Sequence, residues 1–133
     1  MKSDIEIKDA IYQVVKGSIL ERTVTGKLSK TNRPVNSDKE DIVISMLDNS
    51  NGQIQEAFVN VNIYVPDNIR DTQAEENTIR LRELCKISNE LLFTCRGNGF
   101  GVDSNGSKQC VLEVNGKNEH FINNRLLIQI SNE

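Results

Sequence analysis

The sequence has little of the material from which most catalytic and metal sites are built. It contains one histidine, His120, no tryptophan, and only 5% aromatic residues. One histidine cannot form a multi-histidine metal site, and no hydroxyl or thiol neighbour of His120 indicates a catalytic triad. These absences predict a protein that is not an enzyme and that needs neither a metal nor a cofactor. A catalytic site shared between subunits would escape this argument.

Cysteine is also scarce. The three cysteines, Cys85, Cys95 and Cys110, include no C-x-x-C pair of the kind found in zinc and redox sites. Their odd number, in a chain whose first residues lack the apolar segment of a signal peptide, indicates reduced thiols. We therefore expect small, buried, apolar thiol side chains in a protein that stays in the cytoplasm where it is made.

The chain lacks long apolar runs and an excess of basic residues. No stretch of about 18 apolar residues occurs, so nothing in the sequence predicts a membrane span. The net charge is -3 and the isoelectric point is about 5.3, whereas a dedicated nucleic-acid-binding protein usually has a basic face. We therefore expect neither a membrane nor a specific nucleic acid as partner.

Two helices are predicted from capping and periodicity. Capping-box pairs, in which Ser or Thr precedes Glu by three positions, mark both starts: Ser3 with Glu6 and Thr72 with Glu75. The first helix covers about residues 4–16, with its apolar side chains on one face and Gly17 suited to a left-handed stop. The second helix covers about residues 72–96 and is ended by three closely spaced glycines.

Alternating apolar residues and turn residues predict five strands, over residues 19–28, 41–47, 53–65, 109–114 and 119–131. The segment 41–47 is apolar on both faces, so we place it in the centre of the sheet. An Asn-Gly turn at 51–52 joins it to 53–65 as an antiparallel hairpin. The order α-β-β-β-α-β-β predicts a single α+β domain over residues 1–133, with a largely antiparallel sheet and two helices packed on one face.

The strand over 53–65 has one aliphatic face and one face with two asparagines. Its alternating aliphatic residues are Ala57, Val59, Val61, Ile63 and Val65. Asn60 and Asn62 point to the opposite face, although asparagine is depleted in strands. This face either meets water, as is normal for an antiparallel sheet, or its amides form a contact between subunits.

Two long polar loops are predicted, over residues 29–41 and 97–108. Loops of this length in compact domains are often functional or mobile. The glycines of the second loop do not form a phosphate site, because they follow a helix and precede no helix N-terminus. The acidic cluster Asp38, Glu40 and Asp41 lacks the glycine and the further ligands of a calcium loop. Both loops are therefore interpreted as flexible, solvated connections.

Three segments of the chain resemble a known group of phage proteins. These segments are IYQVVKGSIL, NRPVNSDKEDIVISML and AFVNVNIYVPD, within the element order given above. They are similar to the small tail-terminator and tail-completion (head–tail joining) proteins of bacteriophages and prophages. The resemblance implies a structural virion protein without catalysis, present in the host cytoplasm before assembly. It also implies rings, commonly hexamers, that stop tube growth and contact the portal or connector, the tail tube or the neck proteins.

A ring subunit needs two different patches, one for each neighbour, and the long loops and sheet edges are the natural donors. The residues that we expect to contact a neighbouring subunit or partner are Arg33, Asp38, Glu40, Asp41, Asn60 and Asn62. The alternative function is that of a small cytosolic α+β binding or regulatory domain. Such a domain would use its sheet edge for protein–protein contact.

Overall fold

The computed structural model describes residues 2–50, 52, 54–97 and 99–131. The helices in these residues are α1 (Asp4–Val15), α2 (Ile19–Thr23) and α3 (Thr78–Leu92). The strands are β1 (Leu28–Ser29), β2 (Ile42–Ser50), β3 (Gln55–Pro66), β4 (Asn68–Arg70), β5 (Gln73–Glu75), β6 (Arg96–Gly97), β7 (Phe100–Glu113) and β8 (Glu119–Ile130). None of the described helices is long and apolar enough to cross a membrane.

The architecture is the predicted α+β class. Six strands form one sheet in the order β1-β2-β3-β8-β7-β6, and every neighbouring pair is antiparallel except β1 with β2. The buried side chains of all three helices join the alternate side chains of β2, β3 and β8 in one hydrophobic core. The helices therefore cover one face of the sheet, which we call the inner face.

Strand β3 shows why the sheet forms where it does. Its five alternating aliphatic residues are each at most 1% exposed, as the strict period-two pattern predicts. The strand pairs with β2 on one side and with β8 along its full length on the other. The predicted hairpin of β2 with β3 is confirmed, although Asn51 and Gln53, at its turn, lie outside the described residues.

Helix α1 is confirmed with its predicted cap. The Ser3 hydroxyl accepts the backbone N–H of Glu6, and the Glu6 carboxylate accepts the N–H of Ser3, so two otherwise unpaired donors are satisfied. The helix buries an i, i+4, i+8 stripe: Ile7, Ile11 and Val15. Gly17 follows it with φ of 75°, a conformation that a side chain would strain.

The predicted strand over 19–28 is wrong, because a second helix start intervenes. The Ser18 side chain accepts the N–H of Glu21 and opens α2, whose Leu20 is fully buried in the core. This cap and the burial of Leu20 outweigh the strand preference of the Thr-Val-Thr segment. Only the two residues of β1 remain as a strand.

The second of the two predicted helices corresponds to α3, which begins six residues later than predicted. Thr72 is not its N-cap: Asp71 and Thr72 both have positive φ and form the two-residue turn between β4 and β5. Asn77 is the actual cap, and its side-chain oxygen accepts the N–H of Arg80. The hairpin of residues 68–75, which we call the arm, is a separate two-stranded sheet that the sequence analysis missed.

The prediction of a flexible loop over 97–108 is wrong. This segment belongs to the β6–β7 hairpin and to the first part of β7, except for Asn98, which lies outside the described residues. Its glycines serve close packing more than flexibility. A Cβ at Gly97 would collide with the Phe100 ring, and a Cβ at Gly106 would collide with the Leu127 side chain. The register of β7 shifts between Asp103 and Lys108, so the strand bulges at this point.

The prediction that 41–47 is a central strand is also wrong. Only the two-residue β1 lies outside β2, which therefore stands almost at the edge of the sheet. Its apolar outer residue Val43 is nevertheless buried, near the point where Arg33 lies over the Tyr64 ring. Leu47 is exposed at the irregularity between Met46 and Asp48.

Candidate interaction surface

The face of the sheet opposite the helices, which we call the outer face, carries the side chains with the most distinctive chemistry. Strand register places its central residues in three cross-strand rows: Tyr64, Phe121 and Leu112; Asn62, Asn123 and Cys110; Asn60, Arg125 and Lys108. Each row runs from β3 through β8 to β7. No described helix lies over these rows, and their side chains are half-buried or exposed.

The predicted asparagine pair is part of an amide cluster. The Asn123 amide nitrogen donates to the side-chain oxygens of Asn62 at 2.7 Å and Asn60 at 3.2 Å. Both acceptors are thereby oriented, and the NH2 groups of Asn60 and Asn62 donate to no other described residue. Two amide donors on a rigid strand are therefore available to water or to a partner.

Aromatic rings and guanidinium groups flank the amide cluster. Tyr64 and Phe121 stack with their centroids 5.5 Å apart. Arg33 lies 4.2 Å above the Tyr64 ring, and Arg125 lies 4.5 Å from the centre of the Phe58 ring. These cation–π contacts hold flat, partly exposed side chains against the sheet. The outer face is therefore a fixed surface.

The row of Arg125 and Lys108 forms a basic centre on this acidic protein. The two cations are cross-strand neighbours, and neither has a carboxylate within 4.0 Å among the described residues. The Arg125 Nε is buried without a hydrogen-bond partner in the same part of the chain. Because that nitrogen is buried, it is the exposed Lys108 side chain that this row offers to an anionic or carbonyl oxygen.

Arg33 and Asp41, two of the predicted contact residues, form a buried ion cluster. The Arg33 guanidinium donates to Asp41 at 2.7 Å and to Glu119 at 2.5 and 2.6 Å, and both carboxylates are 1% exposed. Burial would raise the pKa of Asp41, but hydrogen bonds from Ser37, Arg33 and the backbone of Lys27 outweigh burial and lower it. The cluster therefore fixes the segment 29–41 to the start of β8, where Glu119 lies.

Glu40 is held in the same way by a different element. It is buried and accepts two bonds from Arg80 of α3, at 2.6 and 2.7 Å, while Arg80 also donates to the Thr23 carbonyl. Hydrogen bonding to Glu40 raises the pKa of Arg80. Asp38 alone among the predicted loop contacts is exposed, at 88% of its side chain, with Lys117 3.5 Å away. Arg33, Glu40 and Asp41 thus bond within their own subunit.

Sequence reasoning had no means to find the partners of these charges. Glu119 lies 86 positions from Arg33, and Arg80 lies 40 positions from Glu40. No local pattern connects residues at such separations. One feature of the sequence indicates burial indirectly: Glu40 and Asp41 directly precede the apolar first residues of β2.

The cysteines are less buried than expected. Cys85 and Cys95 are half-buried, and burial raises the pKa of each thiol. Cys110 is exposed, because it points to the outer face on a strand near the edge of the sheet. The expectation of buried thiols is therefore wrong for Cys110.

His120 holds the base of the arm. Its Nδ1 lies 2.7 Å from the Asp67 carboxylate and its Nε2 lies 3.8 Å from that of Glu76, the two residues that flank the arm. A third carboxylate, Glu113, is 4.0 Å from Nε2. None of the described His, Cys, Asp and Glu side chains forms a group of three suited to a metal ion. The contacts instead fasten both ends of the arm to β8.

Replacing His120 with alanine is expected to loosen the arm. Loss of the bond to Asp67, a charged partner, should speed amide hydrogen exchange in residues 68–75 by roughly tenfold, because such bonds contribute about 1.5–3 kcal/mol. Hydrogen-exchange mass spectrometry measures this directly. Glu113→Gln is the control, because Glu113 contacts the same ring but does not flank the arm. Unchanged exchange in the arm of the alanine variant would refute this role.

Comparison with protein-family models gave no match, and neither did comparison with curated proteins.

Proposed function

We propose that this protein is a structural phage virion component that forms a ring at the head–tail junction or at the tail end. There it terminates the tail or joins it to the connector, without catalysis. The observation that carries the proposal is the outer face: an ordered array of amides, aromatic rings and cations. In the part of the chain that the structure describes, no carboxylate pairs with Arg125 or Lys108 and no helix covers this face. A face with this composition is suited to a wet, specific protein contact.

The distribution of surfaces supports a ring in particular. A closed ring requires two different patches on each subunit, because each contact is heterologous. The outer face is one such patch, and the exposed arm, fastened at the His120 end of β8, is a second on different elements. The resemblance to tail-terminator and tail-completion proteins, which covers most of the chain, supplies the partners: portal or connector, tail tube and neck.

Size-exclusion chromatography with light scattering tests the proposal. The expected result is a mass near six times 15.0 kDa for the protein alone, or assembly into a larger complex once tail-tube or connector protein is added. A protein that remains at 15.0 kDa and binds neither partner would contradict the proposal. The mixing step is essential, because some ring subunits assemble only on contact with their partner.

Replacing Asn60 and Asn62 together with alanine is expected to weaken assembly before it weakens folding. Both side chains are half-buried on the outer face, so the folded monomer should lose no more than about 1 kcal/mol. The assembly constant should fall by roughly thirtyfold, since two interface hydrogen bonds are lost and each contributes about 1 kcal/mol. Sedimentation velocity and urea unfolding measure the two quantities. Asn89→Ala, on the exposed side of α3, is the matched control.

The open edge of β7 favours a second candidate, a small domain that binds an extended peptide by strand addition. Residues 110–113 are exposed, and β6 covers only the first two residues of β7. Val114 donates to the Glu119 carbonyl, so alternation along the ladder turns the N–H groups of Val111 and Glu113 outward. This edge resembles those that accept a further strand.

Val111→Pro separates the two candidates. Proline removes only an outward-facing donor at this position, so the sheet should remain intact. A peptide-binding domain would lose its ligand, measured by calorimetry on the monomer. A ring that assembles through the outer face would keep its mass in light scattering.

A further inference from the structure

We infer that His120 makes the arm sensitive to pH: protonation of its ring draws both sides of the base of the arm onto β8, and loss of the proton loosens the second side. The ring lies between the two sides, because Asp67 directly precedes the arm and Glu76 directly follows it. The inference concerns the arm and its own subunit, so it does not depend on the proposed ring.

The position of the arm depends on its base. The arm pairs with no strand of the main sheet, and an isolated two-stranded hairpin is marginally stable in water. Every residue of its two strands except Ala74 is exposed, including Ile69 at 66%. Contacts at the base are therefore what restrain the arm relative to β8.

The two ring nitrogens of His120 face different carboxylates. Nδ1 lies 2.7 Å from an oxygen of Asp67, and this contact is enclosed, since the two side chains are 15% and 8% exposed. A neutral imidazole has one N–H donor, and a carboxylate only accepts, so the short contact places that proton on Nδ1. Nε2 of the neutral ring then has only a lone pair, and it faces two more acceptors, Glu76 at 3.8 Å and Glu113 at 4.0 Å.

Protonation reverses the role of Nε2. The imidazolium has a second N–H, so Nε2 becomes a charged donor within ion-pair range of Glu76 and Glu113. Attraction to Glu76 restrains the side of the base that leads into α3. The Glu113 side chain is 86% exposed, so water screens its attraction more strongly. Glu76 is therefore the carboxylate through which protonation acts on the arm.

The two sides of the base differ in what else holds them. The Asp67 N–H donates to the Asn118 carbonyl at 3.1 Å, so the first side has a backbone bond that no proton controls. The Glu76 carbonyl accepts the N–H of Thr78, and its carboxylate accepts the Thr78 hydroxyl, both at the start of α3. Among the hydrogen bonds and ion pairs of the described residues, only His120 connects Glu76 to the main sheet.

The charged side chains that face the His120 ring are all acidic. Asp67 and Glu76 flank the arm, and Glu113 lies on β7 as the cross-strand neighbour of His120. None of these carboxylates has a lysine or arginine within 4.0 Å in the part of the chain that the structure describes. An imidazolium therefore supplies the positive charge that the three carboxylates lack. The cations of neighbouring segments bond to other carboxylates: Arg33 to Asp41 and Glu119, Lys117 to Asp38 and Glu119, and Arg80 to Glu40 and Glu83.

The direction of the pH effect follows from these contacts. Histidine is the side chain that changes its charge between about pH 5 and 8. The arm with both contacts favours the protonated ring, so the restraint is present on the acid side and is lost as the pH rises through the titration of His120. Below about pH 4 the carboxylates take up protons as well, and the restraint weakens again.

Nuclear magnetic resonance of the monomer tests the inference, because His120 is the only histidine and one set of ring signals reports its charge. From pH 8 to pH 5.5 at low salt, the amide signals of residues 68–75 should shift with the same midpoint as the ring signals. Their protection from hydrogen exchange, corrected for the intrinsic rate at each pH, should rise roughly threefold, the size typical of a partly exposed ion pair.

Glu76→Gln is the decisive variant. It removes the charge from a side chain that is 51% exposed, so the fold and the Asp67 contact should remain. The ring should still titrate, but the rise in protection should be absent. Glu90→Gln is the matched control, because Glu90 is an exposed glutamate of α3 without an ion pair among the described residues, and it should keep the full rise.

The outcomes separate this inference from the proposed function, since each measurement is made at a concentration where light scattering shows no assembly. Arm signals that do not follow the ring titration, or a full rise in protection in Glu76→Gln, would overturn the inference whether or not rings form. A rise that follows the ring titration and is absent from Glu76→Gln supports it, even if the protein forms no ring with any partner.

Discussion

Replacing Arg33 with methionine is expected to lower the free energy of unfolding by about 3–5 kcal/mol, the usual cost of removing one partner from a buried ion pair. Methionine keeps most of the aliphatic stem, so the change removes the guanidinium, with its ion pairs and its contact with the Tyr64 ring, and little else. It leaves Asp41 and Glu119, each 1% exposed, without the guanidinium that bonds to both. Urea unfolding at pH 7 measures the loss.

The pH dependence provides a further check on the same variant. The pKa of Asp41 is lowered from 3.8 in the folded protein, so its charge stabilises the fold above that value and the stabilisation is lost as pH falls through the lowered pKa. In Arg33→Met the Asp41 carboxylate stays buried but loses its guanidinium partner, so its pKa lies higher than in the unaltered protein. The difference between the two proteins should therefore be largest at neutral pH and shrink toward pH 3.

Asp38→Asn is the matched control for this cluster. Asp38 lies in the same segment but its side chain is 88% exposed, so its loss should change stability by less than about 0.5 kcal/mol. If Arg33→Met also cost less than about 1 kcal/mol, or the same amount at pH 3 as at pH 7, the cluster would not be what fixes the segment 29–41.

The parts of the fold that the sequence predicted are those determined by local pattern. The cap of Ser3 with Glu6 lies within four residues, and the alternation in β3 is a property of the strand itself. Burial and pairing then follow because a strand with one aliphatic face must place that face on the core. These features needed no knowledge of distant residues.

The parts that sequence reasoning missed depend on tertiary context. Gly97 and Gly106 read as signs of a mobile loop, but each makes room for a side chain, Phe100 and Leu127 respectively, whose position only the folded sheet determines. The Asp71-Thr72 turn adopts two positive φ values without the Asn-Gly or Gly residues that usually announce such a turn. The sequence therefore predicts residues 72–75 of the arm as the first turn of the second helix.

The roles of the predicted contact residues also depend on tertiary context. Residues 33–65 carry most of the resemblance to tail-completion proteins, and the charges at the start of that segment are expected to face a partner. Arg33, Glu40 and Asp41 instead hold that segment against β8 and α3, which leaves Asp38 as its exposed acid. The surfaces best suited to a partner are the outer face, where Asn60 and Asn62 were correctly placed on the side opposite the aliphatic face of β3, and the arm.

Leu84→Ala in α3 is expected to have an effect of similar size, a loss of about 2–5 kcal/mol in the free energy of unfolding. Leu84 is fully buried in the core, where the helix packs on the inner face of the sheet. Truncation removes apolar contacts and leaves a cavity that the sheet cannot fill, because the strands opposite are held in register along their full length. Thermal and urea unfolding of the monomer measure the loss.

Ile79→Ala is the matched control, because it removes a side chain of similar size from the same helix at a position that is 78% exposed. Alanine also has the higher helix propensity, so this variant should be within about 0.5 kcal/mol of the unaltered protein. Equal losses in the two variants would mean that α3 does not pack by the Leu84 side.

The outer face is separated from that core by the sheet, so Leu84→Ala should lower folding stability while the assembly constant, measured on the folded fraction, stays unchanged. The opposite pattern is expected for the Asn60 and Asn62 double variant, and this reciprocal behaviour would show that folding and assembly use opposite faces of one sheet.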